Sequence, residues 1–233
     1  MTRTFHQDSM EWQLPVQKLE ISNVNIGSPW ARVRHNDQGR FSMKPMAPLS
    51  YFGTQFRLSF LSLLIPPLPV VEYNPVTGRL VLDMTETSLG SIKLNTFQET
   101  LQNAIMYHQS GWFKTEFDKS AIKAGFQPMI QDNHLLLHCP LGFSEDRGVK
   151  GIPVYVDGAW KPLASVSITP GMRIRVAVKI HGISFLMNPD GSGAPVWGGR
   201  CRIQHRIQGI LVQNQALTQG QNQNQNQAAT QRS

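Results

Sequence analysis

Ser120-Ala-Ile-Lys123 has the Ser-x-x-Lys spacing of an acyl-transfer nucleophile and its base. Four common residues fall into that pattern by chance, however, and neither companion motif of the β-lactamase-like enzymes accompanies it, so a solvated turn explains it as well. His134 and His138 stand four apart with Cys139 beside them. On a helix this spacing would turn two imidazoles toward one metal. In Asn-His-Leu-Leu-Leu-His-Cys-Pro it reads as a strand, where positions four apart lie about 13 Å from each other, too far for one Zn²⁺ with bonds of about 2.0 Å. Glu145 and Asp146 are adjacent, would point apart in a strand, and beside Arg147 and Gly148 read as loop decoration; Asp83 and Glu86 make no better catalytic pair. No Gly-x-Ser-x-Gly, Walker loop or dinucleotide glycine fingerprint is present. The expectation is a protein that is not an enzyme and has no cofactor and no metal. Cys139 and Cys201 have neither metal nor redox spacing and read as reduced, buried thiols of an intracellular protein, a disulfide between them being the alternative.

Binding chemistry is better represented. Between Lys161 and Arg206 stand seven basic residues, Lys161, Arg173, Arg175, Lys179, Arg200, Arg202 and Arg206, against one acid, Asp190, so nearly all of the net charge of +7 lies there. Exposed basic strands often do no more than solvate a face. Here Arg173, Arg175 and Lys179 share one strand face and Arg202 and Arg206 another; pairing the two strands makes one positive surface, for which a phosphate backbone is the natural partner. Trp30, Tyr51, Trp112, Phe113, Trp160, Phe185 and Trp197 fall in loops and strand ends, several beside glycine or a basic residue. Single-stranded nucleic acid is held by bases stacking on aromatics beside a cationic groove, whereas core packing is the ordinary use of such rings. Trp197, between Pro195-Val196 and Gly198-Gly199, is the ring most exposed by its context; Tyr51, Trp112, Phe113 and Phe185 are the further stacking candidates. His205 interrupts the apolar face of its strand and reads as a satisfied core histidine.

These residues need elements to position them. Met172 to Ile180 alternates Met172, Ile174, Val176, Val178 and Ile180 with Arg173, Arg175, Ala177 and Lys179, the period-2 pattern of a half-buried strand. Arg200 to Val212 repeats it, with Cys201, Ile203, Ile207 and Leu211 opposing Arg202, Gln204, Arg206 and Gln208. The Gly- and Pro-rich stretch 188–199 between them predicts a hairpin with a long tip that carries Trp197. Asp157-Gly158 predicts a tight hairpin, and a second is expected across Val33 to Phe41. Tyr51 to Leu64 reads as a strand with Phe52, Phe56, Leu58 and Phe60 on one face and Gln55, Arg57 and Ser59 on the other, which adds Arg57 to the basic residues expected at nucleic acid. Leu135 to Cys139 makes a further strand. One helix is expected after Asn95, with Phe97, Leu101, Ala104, Ile105 and His108 on one stripe and Thr96 and Glu99 as a capping box.

Composition agrees with a mainly β chain: 233 residues include 19 Gly and 15 Pro, 40% hydrophobic residues and only 16% charged ones. That is enough apolar surface for a core and the makeup of short strands and turns. No apolar run reaches the roughly 20 residues that span a bilayer, and Met1 to Met10 lacks the apolar region of a signal peptide. The segment from Gln213 to Ser233 alternates Gln and Asn and has nothing to bury, so it reads as a disordered tail.

The run from Gly171 through Met-Arg-Ile-Arg-Val-Ala-Val-Lys-Ile-His-Gly-Ile-Ser to Phe185, the loop with Trp197, and Arg200-Cys-Arg-Ile-Gln-His-Arg-Ile207 resemble the C-terminal part of replicative single-stranded DNA-binding proteins of large DNA viruses and related phages. The likeness lies mainly over residues 171–212. It implies an OB-fold-like five-stranded barrel with insertions and one helix, which coats unwound DNA without catalytic residues and presents Arg202, Gln204 and Arg206 from its last strand. Phage members of that family end in an acidic tail with a terminal aromatic that recruits replication enzymes, whereas this chain ends in neutral Gln and Asn followed by Arg232. The expected organisation is an N-terminal extension over 1–19, an OB-like β domain over 20–212 and the tail over 213–233. Single-stranded DNA is the expected partner, with RNA as an alternative; replication proteins and a second copy of the chain are further candidates, and a membrane is not. The competing reading is a β-sandwich or jelly-roll subunit of a viral capsid, since Pro- and Gly-rich, weakly charged β chains also serve there.

Overall fold

The computed structural model describes residues 13–35, 41–53, 57–58, 60–139, 151–189 and 195–213. The strands, in chain order, are β1 (Leu14–Pro15), β2 (Val24–Ile26), β3 (Trp30–His35), β4 (Phe41–Phe52), β5 (Arg57–Leu58), β6 (Leu61–Asn74), β7 (Arg79–Asp83), β8 (Phe126–Gln127), β9 (Ile130–Gln131), β10 (His134–His138), β11 (Pro153–Val156), β12 (Ala159–Pro162), β13 (Arg173–Pro189) and β14 (Pro195–Val212). Two helices, α1 (Ser88–Phe113) and α2 (Lys119–Gly125), lie between β7 and β8. The chain is mainly β, as its composition and period-2 runs predict.

Five strands make the barrel. β6 pairs with β7, β7 with β10, β14 with β13 and β13 with β6, each pair antiparallel. Around the ring the order is β6, β7, β10, β14, β13 and back to β6: first, second, third, fifth and fourth in the chain. Four successive antiparallel pairings leave β10 and β14 running parallel where the ends of the path meet. No ladder joins them; the His138 amide donates instead to Nε2 of His205 at 3.1 Å. The result is a five-stranded, barrel-like arrangement left open along one seam.

Directly paired residues share a face, so the interior can be read row by row. Ile207, Val178 and Leu63 form one row, Ile210, Val176 and Ile65 a second, and Val70, Leu82 and Leu135 a third. All nine are buried. Burying one such side chain contributes roughly 1.5–3 kcal/mol, so these rows dominate the stability of the barrel.

β13 changes partner part-way along. Arg173 to Ile180 lie against β6, whereas Gly182 to Ser184 lie against Pro48 to Met46 of β4. Gly182 stands at the bend, and a Cβ there would strike the Ala47 carbonyl oxygen. Only glycine permits this approach.

The predicted hairpins form. Val156 pairs with Ala159 across Asp157 and Gly158, which take the left-handed φ values of 52° and 77° that a two-residue turn of this hand requires. His35 likewise pairs with Phe41. Other boundaries move. The expected strand from Tyr51 to Leu64 is three elements, with β4 ending at Phe52, β5 pairing back onto it, and β6 starting at Leu61. Its facing is also corrected, because Tyr51 is buried and Phe52 exposed. The expected single helix is joined by α2, and α1 starts two turns before the proposed capping box. Thr96 is therefore interior, its hydroxyl donating to the Ile92 carbonyl at 2.9 Å, and Thr87 is the residue ahead of the first turn. The packed body also begins earlier than residue 20, since Leu14, Val16 and Leu19 are buried and β1 runs parallel to β6 at Leu63 and Leu64. The tail beyond Gln213, the pair Glu145 and Asp146, the tip at 190–194, and Gln55, Phe56 and Ser59 lie outside the described residues. No helix among the described residues is long and apolar enough to cross a membrane.

Candidate functional site

The open seam is also a cleft of about 680 Å³. One wall is the outer face of β6, β7 and β10. There Asn74, Arg79 and His138 form one row, and Glu72, Val81 and Leu136 the next. The other wall is β14, with Arg202, Gln204 and His205; Gln127, Pro128, Met129 and Gln131 close one end. Arg79 and Glu72 approach at 3.7 Å, a solvated contact that leaves the guanidinium exposed. Asn74 holds the turn after β6, its Oδ1 accepting from the amides of Val76 at 2.9 Å and Thr77 at 3.0 Å. A second cleft of about 340 Å³ continues past Arg202 and Gln127 to Ser184, Leu186 and Arg200. The groove is thus lined by three arginines, several amides and little negative charge.

α1 positions the floor of the groove. Its stripe of Leu94, Phe97, Leu101 and Ile105 faces the core. Gln98 on the same stripe accepts from the amides of Met129 and Ile130 and donates to the Ile130 carbonyl, acting as a strand partner for β9. Gln109 does the same for Phe117, donating to its carbonyl and accepting from its amide, both at 2.8 Å. Each glutamine satisfies buried backbone groups that no ladder reaches.

The expected basic face forms only in part. β13 and β14 pair as predicted, and Arg202 and Arg206 are exposed on β14, as is Arg200. Arg173 is engaged elsewhere, bonded to the Glu86 carboxylate at 2.7 Å and to the Pro67 carbonyl at 3.1 Å. Nε of Arg175 is buried without a hydrogen-bond partner. Lys179 places its ammonium 3.5 Å over the Phe60 ring, and burial, followed by the charge of Arg206, lowers its pKa. Arg57 belongs to β5; only its backbone is described.

The stacking assignments need the larger correction. Trp197 is 1% exposed, lies within β14 rather than at a free tip, and donates from Nε1 to the Arg200 carbonyl at 3.0 Å. Its ring meets Phe113, Phe117 and Phe185 with centroids 4.9, 5.2 and 5.5 Å away. Phe185 is buried as well, and Trp112 and Phe113 are half-buried in the same cluster. These rings bind the C-terminal end of α1 to the β13–β14 hairpin; they are core, because a glycine-rich flank frees a ring only where nothing packs over it. Tyr51 is likewise buried, its hydroxyl accepting from Asn23 Nδ2 at 3.4 Å.

Ser120 is occupied at the start of α2, its hydroxyl donating to Asp118 Oδ1 at 2.7 Å, and Lys123 is exposed on the same short helix. Among the described residues no cluster of three His, Cys, Asp or Glu side chains could hold a metal. Cys139 and Cys201 are free and buried, and burial pushes both thiols up to about 12. His205 is held neutral: burial first, then the charges of His138, Arg202 and His181, lower it to about 4, against a smaller opposing effect of the Ile203 backbone. Its Nδ1 is buried and has no partner of normal hydrogen-bond geometry.

Arg79, Asn74, Gln127 and His138 are the site residues that sequence reasoning missed. They come from three separate stretches of chain, and no local pattern joins them; only an early assignment of β7 and β10 as neighbouring barrel strands would have done so. No protein-family model, curated protein or solved structure matches the chain.

Proposed function

We propose that the chain is a sequence-tolerant single-stranded DNA-binding protein and that the groove along the open seam is its binding site. One observation carries the reading. The cleft lies on the outer face of β7 and β10, the second and third barrel strands, which is where OB barrels take oligonucleotides, and it is lined by arginines and amides. Arg79, Arg200 and Arg202 supply the cationic track for phosphates, and Asn74, Gln127 and Gln204 supply hydrogen-bonding groups that tolerate any base. Arg206 and Lys179 extend the positive field beyond the groove. A role in replication of a large DNA virus or phage rests on the resemblance over residues 171–212. In this reading the protein has no catalytic residues, and His205, held neutral by burial, serves as polar lining.

The test is the anisotropy of a fluorescent oligo-dT titrated with the wild type and with Arg202→Glu. The expected result is saturable binding at low salt that the substitution weakens at least tenfold. A protein that leaves the oligonucleotide free at low salt, or that assembles into large particles without it, overturns the proposal in favour of a virion subunit.

A further inference from the structure

Among the described residues three rings line the two clefts, His138 and His205 in the first and Phe185 in the second. Phe185 is 2% exposed and packs against Trp197. His205 is engaged at the seam, its Nε2 accepting from the His138 amide at 3.1 Å. His138 itself is exposed, and its imidazole has no hydrogen-bond, ion-pair or ring partner among the described residues. It is therefore the ring of the groove that is open to a base.

The fold fixes where that ring stands. In β10, Leu135 and Leu137 are buried, so His134, Leu136 and His138 face outward. His138 pairs with Arg79 of β7, which sets imidazole and guanidinium side by side in one row with about 5 Å between their Cα atoms. On its other side the amide bond to His205 holds β10 against β14, three positions from Arg202 and about 10 Å from it along that strand. The ring thus stands between a cation of one wall and a cation of the other. Leu136 and Pro128, both half-buried, line the cleft beside it. Against the imidazole lies the bare backbone of Gly78: a Cβ there would come 3.3 Å from His138 Cε1, so the glycine that makes this turn at a φ of 71° also leaves the ring uncovered.

We propose that His138 is the base-stacking residue of the groove: an unpaired base of single-stranded DNA lies on its imidazole, bordered by Leu136 and Pro128, while the phosphates on either side of that nucleotide meet Arg79 and Arg202. The inference rests on the single-strand reading above and adds to it the residue that holds a base rather than a phosphate. Arginines alone would take any polyanion, whereas a ring between them selects a chain whose bases are free to stack. Stacking is indifferent to base identity because every base has a π-face, and this suits a sequence-tolerant binder.

The experiment uses the full chain as wild type, His138→Ala, His138→Phe and Arg202→Glu, each titrated at several salt concentrations with oligo-dT and with an abasic deoxyribose-phosphate oligomer of the same length. His138→Ala is expected to weaken oligo-dT binding about five- to hundredfold with the salt slope unchanged, since stacking releases no counterions. Against the abasic oligomer it should bind within about twofold of wild type, because no base is there to lose. His138→Phe should restore most of the oligo-dT affinity. The amide that bonds His205 belongs to the backbone and is kept in every variant, and thermal melting checks that each is folded. If His138→Ala weakens both oligomers alike, flattens the salt slope, or is not rescued by His138→Phe, the stacking assignment is overturned. It is overturned too if wild type binds both oligomers equally, an outcome that needs no variant, or if His138→Ala binds oligo-dT as wild type does; weakening by Arg202→Glu then leaves the single-strand reading standing. Wild type that binds neither oligomer overturns both.

Discussion

His205 stands in β14 at the seam, one ring nitrogen accepting from the His138 amide and the other buried without a partner of normal geometry. Reading it as a satisfied core histidine captured half of this arrangement. Its folded pKa is lowered to about 4 from an ordinary 6.5, with burial as the main cause. Because the unfolded chain takes up a proton as pH falls below about 6.5 and the folded protein does not until about 4, the contribution is complete above 6.5 and is lost progressively across that interval. The wild type should therefore lose stability from pH 7 to pH 4.5, by an amount on the order of 2–3 kcal/mol from this one group. His205→Gln, measured by thermal melting at the same pH values, should flatten that dependence. An unchanged pH profile in the variant would show that another group carries it.

At the scale of elements, the β13–β14 hairpin and α1 are one unit joined by Trp197, Phe113, Phe117 and Phe185. Trp197→Ala would remove the largest fully buried side chain of the described protein and leave its neighbours facing a void. The expected cost is about 3–5 kcal/mol, seen as a marked fall in melting temperature. Affinity of the folded fraction for oligo-dT should stay within about twofold, because the ring does not reach the groove; lost stability with retained affinity marks a core residue. The hairpin itself was legible from alternation in Met172–Ile180 and Arg200–Val212. The burial of Trp197 was not, because Phe113 of α1 and Phe117 just beyond that helix, which pack on it, stand about 80 positions earlier in the chain, and a ring between glycines carries no local mark of what packs on it.

For the whole molecule, charge placement decides what salt does. Arg79, Arg200, Arg202 and Arg206 remain available to phosphates, whereas Arg173 is held by Glu86 and Pro67. Each neutralised phosphate contributes about −0.7 to the slope of log K against log salt, so three to four contacts predict about −2 to −3. Arg200→Glu with Arg202→Glu should flatten the slope by about 1.4. Arg173→Glu should leave the slope unchanged and lower the melting temperature instead, by placing a carboxylate against Glu86. Oligo-dT affinities from 50 to 300 mM salt, on the order of one Debye length of screening or less, decide between these outcomes. A slope near zero in wild type would remove electrostatic capture as the mode of binding.

Alternation of apolar and polar residues over nine to thirteen positions, turn dipeptides such as Asp157-Gly158, and a low charge content are local properties, and from them the mainly β class, two hairpins, the strand pair β13–β14 and part of α1 could be read directly. The helix start was misplaced because an interior Thr-x-x-Glu looks the same as a capping box until the residues before it are seen to be helical. Everything that depends on which strands meet was decided by tertiary structure: the ring order that leaves β10 parallel to β14 without a ladder, the withdrawal of Arg173 into an ion pair, and the closure of the aromatic cluster. The physical reason is that strand pairing is chosen by burial summed over the whole barrel, so contacts between residues more than a hundred positions apart leave no periodic trace in the chain.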